Sequence, residues 1–144
     1  MTTASAPPPS VDDLLRSIAR WASTRDDVLG VALVGSHARG AATPGSDVDV
    51  VLVVRSVDAL FSADGWLGKF GRVLSIEHED HGLVRSRRVR YARGLEVEWG
   101  VTDARWCVVD PLDPRTADVV AAGMRALYDP NGMVAALAAA VARR

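Results

Sequence analysis

Cysteine is almost missing from these 144 residues. Cys107 is the only one, so no disulfide can form within the chain, and a reducing, cytoplasmic compartment is expected. Lysine is equally scarce: Lys69 stands alone among 17 basic residues, the others being arginine. Beside so much alanine and valine, that bias reads as the mark of a GC-rich genome rather than of a function. No uninterrupted apolar run approaches the ~20 residues that span a bilayer, which argues against a membrane role. The opening MTTASAPPPS has neither the basic region nor the apolar stretch of a signal peptide. An excess of charge of one sign is lacking too. The formal net charge is −1, which argues against a nucleic-acid partner.

What is present fits a globular chain, with 49 % apolar and 24 % charged residues. Residues 1–9, ending in three prolines, are expected to form a disordered tail, and residues 10–144 a single domain. Ser10 can cap a helix, with Asp13 three residues on as a weak capping box. Val11, Leu14, Leu15, Ile18 and Trp21 then recur at helical spacing to about Thr24. Val28 to Val34 reads as a buried strand, stopped by Gly35-Ser36. A short helix is expected over Ser36 to Ala41, a turn at Thr43-Pro44-Gly45-Ser46, and a central strand over Asp47 to Val54, apolar on both faces after its first three residues. Residues 57–69 look helical despite two glycines. Three strands are expected at 72–78, 83–91 and 95–102, punctuated by Gly82 and Arg93-Gly94. Asp113-Pro114 opens a helix predicted to reach Leu127, and an Ala-rich helix follows the turn Asp129-Pro130-Asn131-Gly132. The order predicts an α+β domain on a mixed sheet flanked by helices.

The chemistry concentrates in GSHARGAATPGSDVDVVLVV, residues 35–54. Side chains alternate along a strand, so Asp47 and Asp49 share a face. Two carboxylates that close repel each other unless a cation lies between them. Mg²⁺ binds one or two carboxylates together with substrate phosphates, so the pair can hold a Mg-triphosphate. Upstream, Gly35 lets a phosphate approach the backbone, and Ser36 lies where a strand turns into a helix with free N–H groups. The Ser36 hydroxyl can donate to a phosphate oxygen, and Arg39, one turn on, can neutralise a leaving pyrophosphate. Gly40 and Gly45 shape the return loop. A third carboxylate on a neighbouring strand would complete a two-metal site or take the proton of an attacking hydroxyl. Leu95-Glu96-Val97-Glu98-Trp99 offers Glu96 and Glu98, again on one face. No third glycine makes a G-x-G-x-x-G loop, and no G-K-[ST] makes a P-loop.

The same stretch closely resembles the defining motif of the polymerase-beta-like nucleotidyltransferase superfamily: Gly-Ser, a short helix with Ala-Arg-Gly, then Ser-Asp-x-Asp. Weaker similarity in strand order runs from about residue 28 to 102. The resemblance implies a mixed-sheet nucleotidyltransferase core, Mg²⁺ dependence and an NTP donor, usually ATP. It implies that Gly35, Ser36, Arg39 and Ser46 bind the nucleotide and that Asp47 and Asp49 bind the metals. Aminoglycoside adenylyltransferases carry a Leu-Glu-Val segment whose Glu acts as base. Leu95-Glu96-Val97 is similar, which makes Glu96 the expected third metal ligand and catalytic carboxylate, with Glu98 in reserve. The acceptor would be a hydroxyl of a small molecule or protein. Those enzymes also carry a helical C-terminal domain, whereas residues 103–144 offer only two predicted helices. Either the acceptor site is small or another subunit completes it. A homodimer, or an antitoxin-like role with a toxin partner, is the alternative that the resemblance to minimal nucleotidyltransferases implies.

Other residues invite readings that their surroundings weaken. Arg85, Arg87, Arg88 and Arg90 fall on both faces of a strand and read as a solvated hairpin. His78 and His81, beside Glu77, Glu79 and Asp80, read as a polar hairpin loop. His37 is left open between nucleotide contact and none. Trp66, Trp99 and Trp106 read as core, and Cys107 as a small buried hydrophobe.

Overall fold

The computed structural model describes residues 10–144, so the tail expected over residues 1–9 lies outside the described residues. Helix α1 spans Val11–Ser23, and the Ser10 hydroxyl accepts from the Asp13 amide. The Asp13 carboxylate does not return the favour of a capping box; it pairs with Arg16 instead. Strand β1 (Val28–Val34) runs into α2 (Gly35–Ala38), and β2 (Val48–Val54) follows the turn. Helix α3 (Val57–Phe61) and a 3₁₀ segment (Asp64–Phe70) come next, then β3 (Val73–His81), β4 (Val84–Tyr91) and β5 (Glu96–Thr102). The chain closes with a 3₁₀ turn (Ala104–Cys107), α4 (Pro114–Ala121), β6 (Met124–Tyr128) and α5 (Met133–Ala142).

The six strands form one mixed sheet in the order β3-β4-β5-β2-β1-β6. Only β2 and β5 run parallel; the other neighbours are antiparallel. Strand β2 lies inside the sheet and is covered on both faces, as its apolar run requires. On one face Val48, Val50, Leu52 and Val54 pack with Trp99, Val101 and the buried side of α1. On the other, Val51 and Val53 pack with Trp106, α4 and α5. Trp66, Trp99 and Trp106 are all core, as expected.

Three elements differ from expectation. Helix α2 is one turn, shorter than Ser36–Ala41. The segment 57–69 divides at Ser62-Ala63 into α3 and a 3₁₀ stretch that holds both glycines, because glycine weakens a continuous helix. The helix predicted to reach Leu127 stops at Ala121. Gly123, at φ +135, redirects the chain, and Met124–Tyr128 pairs with the outer edge of β1 as a sixth strand. The open edge of β1 overrides an apolar spacing that suits a helix equally well.

Candidate active site

Strand register assembles the site. Val34 pairs with Asp49 across β1 and β2. The Gly35-Ser36 turn therefore leaves β1 directly against the Asp49 carboxylate. Gly35 has φ +72, and a Cβ there would lie 2.2 Å from Asp49 Oδ2. Both the backbone angle and the contact require glycine. Asp49 in turn faces Glu98 across the parallel β2–β5 pair, and Glu98 faces Arg88 across β5–β4. One row of the sheet thus carries two carboxylates and a guanidinium. Asp47, one residue ahead of β2, and Glu96, at the start of β5, extend the acidic patch by one step along the strands.

The charges are unbalanced. Arg88 donates to Asp47 Oδ2 at 3.1 Å and lies 3.6 Å from Glu98 Oε2, and Arg90 faces Glu96 across β4–β5, so two cations face four carboxylates. Burial, then the Glu98 carboxyl and the Asp47 charge, push Asp49 up to about 7 from 3.8. Glu96 is also raised, first by its contact with the Asp47 carboxyl. A patch this crowded favours a divalent cation among hard oxygen donors.

Beyond the carboxylates a cleft of about 810 Å³ opens between the sheet face and α4. Its walls include Gly35, Asp49, Glu98 and Arg88, the hairpin residues Glu79, Asp80 and His81, and Asp113, Arg115 and Asp118 of the α4 region. Gly100 keeps the floor open, since a Cβ there would lie 2.8 Å from Val84.

Gly35, Ser36, Asp47, Asp49, Glu96 and Glu98 thus gather at one end of the sheet. Arg39 and Ser46 are placed differently. Arg39 is exposed at the end of α2, packed against Gly123, and forms no ion pair among the described residues. The Ser46 hydroxyl accepts from the Thr43 amide and closes the return loop, while its carbonyl lies 3.3 Å from His37 Nε2. The reading of the arginines as a solvated hairpin fails for two of them. Arg88 belongs to the carboxylate cluster, and Arg87 is 7 % exposed with its guanidinium 3.7 Å over the Phe61 ring. His81 likewise turns from the hairpin into the cleft, 3.7 Å from Glu98. Cys107 is half-buried, and burial, then the Asp129 charge, push its thiol up to about 11. At that value it stays protonated and unreactive.

The sequence matches the family model described as streptomycin adenylyltransferase over residues 10–94. Among solved structures, an aminoglycoside 6-adenyltransferase from Bacillus subtilis superposes with a TM-score of 0.55 at 14 % identity, over 68 % of this chain and 36 % of that one. The polymerase core of TRAMP, an RNA surveillance complex, gives a TM-score of 0.47 at 18 % identity, over 79 % of this chain and 42 % of that one. At such identity the first likeness is one of fold: a mixed-sheet nucleotidyltransferase core. This chain spans little more than a third of that enzyme's length. No curated protein matches the sequence.

Proposed function

This chain belongs to the streptomycin adenylyltransferase family, and on that premise we propose that it transfers a nucleoside monophosphate, AMP from ATP, onto a hydroxyl group and releases pyrophosphate in a Mg²⁺-dependent reaction. The observation that carries the reading is the Val34↔Asp49 pairing, which sets Gly35-Ser36 against a carboxylate that no Cβ could approach so closely. A turn that can receive a phosphate and a carboxylate that can bind a cation are thereby neighbours.

The donor set fits Mg²⁺. Asp47 and Asp49 would hold it, and bound there it would spread the charge of the triphosphate. The remaining roles fall to the chain itself. The bare face of Gly35 and the Ser36 hydroxyl, which has no hydrogen-bond partner among the described residues, receive phosphate oxygens. The acceptor oxygen attacks the α-phosphorus, the bond to the β-phosphate oxygen breaks, and the pair of electrons leaves with pyrophosphate. The hydroxyl proton passes to a carboxylate on β5. We assign this role to Glu98 rather than to the expected Glu96 for its place in the cleft. Glu98 lies opposite Asp49 and lines the cleft, whereas Glu96 stands beside Asp47 at the strand's beginning. Arg88, between Asp47 and Glu98, orients both carboxylates.

The acceptor to test first is an aminoglycoside. Its positive charges suit a cleft walled by Glu79, Asp80, Asp113 and Asp118, and the family description names streptomycin. The experiment is transfer of label from α-labelled ATP to streptomycin and related acceptors, with Asp47→Asn/Asp49→Asn as the reference. Transfer by the wild type that the double variant lacks supports the reading; transfer that survives in the double variant rules the mechanism out.

A further inference from the structure

We propose that Glu79, His81 and Glu98 form a second metal site, for a borderline divalent transition ion such as Zn²⁺ or Co²⁺, on the wall of the cleft. Glu79 and His81 stand two residues apart on β3 and so share a face. Glu98 lies two strands away on β5, with β4 between. Adjacent strands are about 4.8 Å apart, so long side chains can meet over β4 where the residue between them is small or turned aside. Glu79 faces Ser86, which faces Gly100 on β5, and Glu98 faces Arg88, whose guanidinium turns to Asp47 and to Glu98 Oε2.

The result is a converged set of donors. His81 Nε2 lies 3.5 Å from Glu79 Oε2 and 3.7 Å from Glu98 Oε1, and one ligand atom from each residue falls within 4.8 Å of the other two. A tetrahedral ion with bonds of about 2.0–2.2 Å holds its ligands about 3.3–3.6 Å apart, so shifts of a few tenths of an ångström close the His81 pairs, and the two carboxylates, within 4.8 Å of each other, close by rotation of their long, partly exposed side chains. Arg88 engages Oε2 of Glu98, which leaves Oε1 free to turn toward His81. The imidazole sets the selectivity, because Mg²⁺ takes oxygen donors while Zn²⁺ and Co²⁺ accept nitrogen. Three protein ligands leave a fourth position for water. Glu79 and His81 are exposed, so the ion has a route in.

The site differs from the Asp47–Asp49 pair in chemistry and place but uses Glu98, the carboxylate that takes the acceptor's proton. Its regulatory consequence therefore rests on the transferase reading above: an ion held here draws Glu98 away from the acceptor and inhibits transfer. The binding itself stands independently of that reading.

The test is titration of the full chain, without a histidine tag, with Co²⁺ followed by visible absorption, on the wild type, His81→Ala, Glu79→Gln and Asp47→Asn/Asp49→Asn. The double aspartate variant should keep the His81-dependent Co²⁺ band of the wild type, and His81→Ala and Glu79→Gln should each lose at least about tenfold in affinity for that band. Absence of Co²⁺ binding by the wild type overturns the proposal. So does binding that the aspartate variant loses and His81→Ala keeps. Should His81→Ala fold poorly, nitrogen NMR of the wild type decides: a Zn²⁺-dependent shift of the His81 ring resonance supports the site, and an unmoved resonance refutes it. Intact Co²⁺ binding in a protein that fails to bind Mg-ATP would sink the transferase reading alone.

Discussion

Asp49→Asn replaces a charged group by a neutral one of the same shape at the most crowded point of the carboxylate patch. In the folded chain Asp49 titrates at about 7, raised from 3.8 by burial first and then by Glu98 and Asp47. A folded pKa raised above the unfolded one means that the protonated form is preferred. The contribution to stability is then whole below about pH 4 and is lost as the pH rises through about 7. At about 1.4 kcal/mol per pKa unit, the interval from 3.8 to about 7 sets an upper bound of about 4 kcal/mol; solvent screening in a site that is only partly buried reduces it to about 2 kcal/mol. For a domain of this size that corresponds to a melting shift of about 5–8 °C. The assay is calorimetric melting in EDTA at pH 5, 6.5 and 8. Asp49→Asn should melt above the wild type at pH 8, and the gap should narrow toward pH 5 as the wild-type carboxyl takes up its proton. A variant less stable than the wild type at pH 8, or a gap that ignores pH, would refute the reasoning.

Other perturbations probe separate links. Gly35→Ala forces a side chain into φ +72 and against the Asp49 carboxylate; about 1–3 kcal/mol of stability should go, with nucleotide binding, and unchanged binding by calorimetry would count against the phosphate role. Arg88→Gln removes the cation that joins Asp47 and Glu98, so melting in EDTA at pH 8 should fall, and millimolar Mg²⁺ should restore most of it. Failure of Mg²⁺ to do so would show that Arg88 acts elsewhere. Gly123→Ala strains φ +135 and brings a Cβ within 3.0 Å of Arg39, which should cost about 1–3 kcal/mol by denaturant unfolding; a neutral result would question the turn into β6.

The parts of the fold that follow from local rules could be read directly. Strand β1 occupies Val28–Val34 because that run is apolar and β-branched. Ser10 and Asp113 cap their helices because their side chains reach amides three residues on. The spacing from Gly35-Ser36 to Asp47 and Asp49 already implied strand, turn and strand, and the antiparallel pairing then closes the two halves together. What escaped depends on partners far along the chain. Met124–Tyr128 has no local signature that separates helix from strand, and only the free edge of β1 decides. Glu96 and Glu98 share a face, and only the β2–β5 register reveals that Glu96 stands beside Asp47 and Glu98 opposite Asp49. Arg88 and His81 reach the carboxylates through pairings that span three strands, and no spacing along β3 or β4 reveals them.

The central claim is that Asp47 and Asp49 hold a Mg-triphosphate beside Gly35-Ser36. Calorimetric titration of a non-hydrolysable ATP analogue into the wild type and into Asp47→Asn/Asp49→Asn, with Mg²⁺ and with EDTA, tests it most directly. The account predicts binding by the wild type that needs Mg²⁺ and that the double variant lacks. Binding that persists in EDTA or in the double variant, or no binding by the wild type in Mg²⁺, would contradict it.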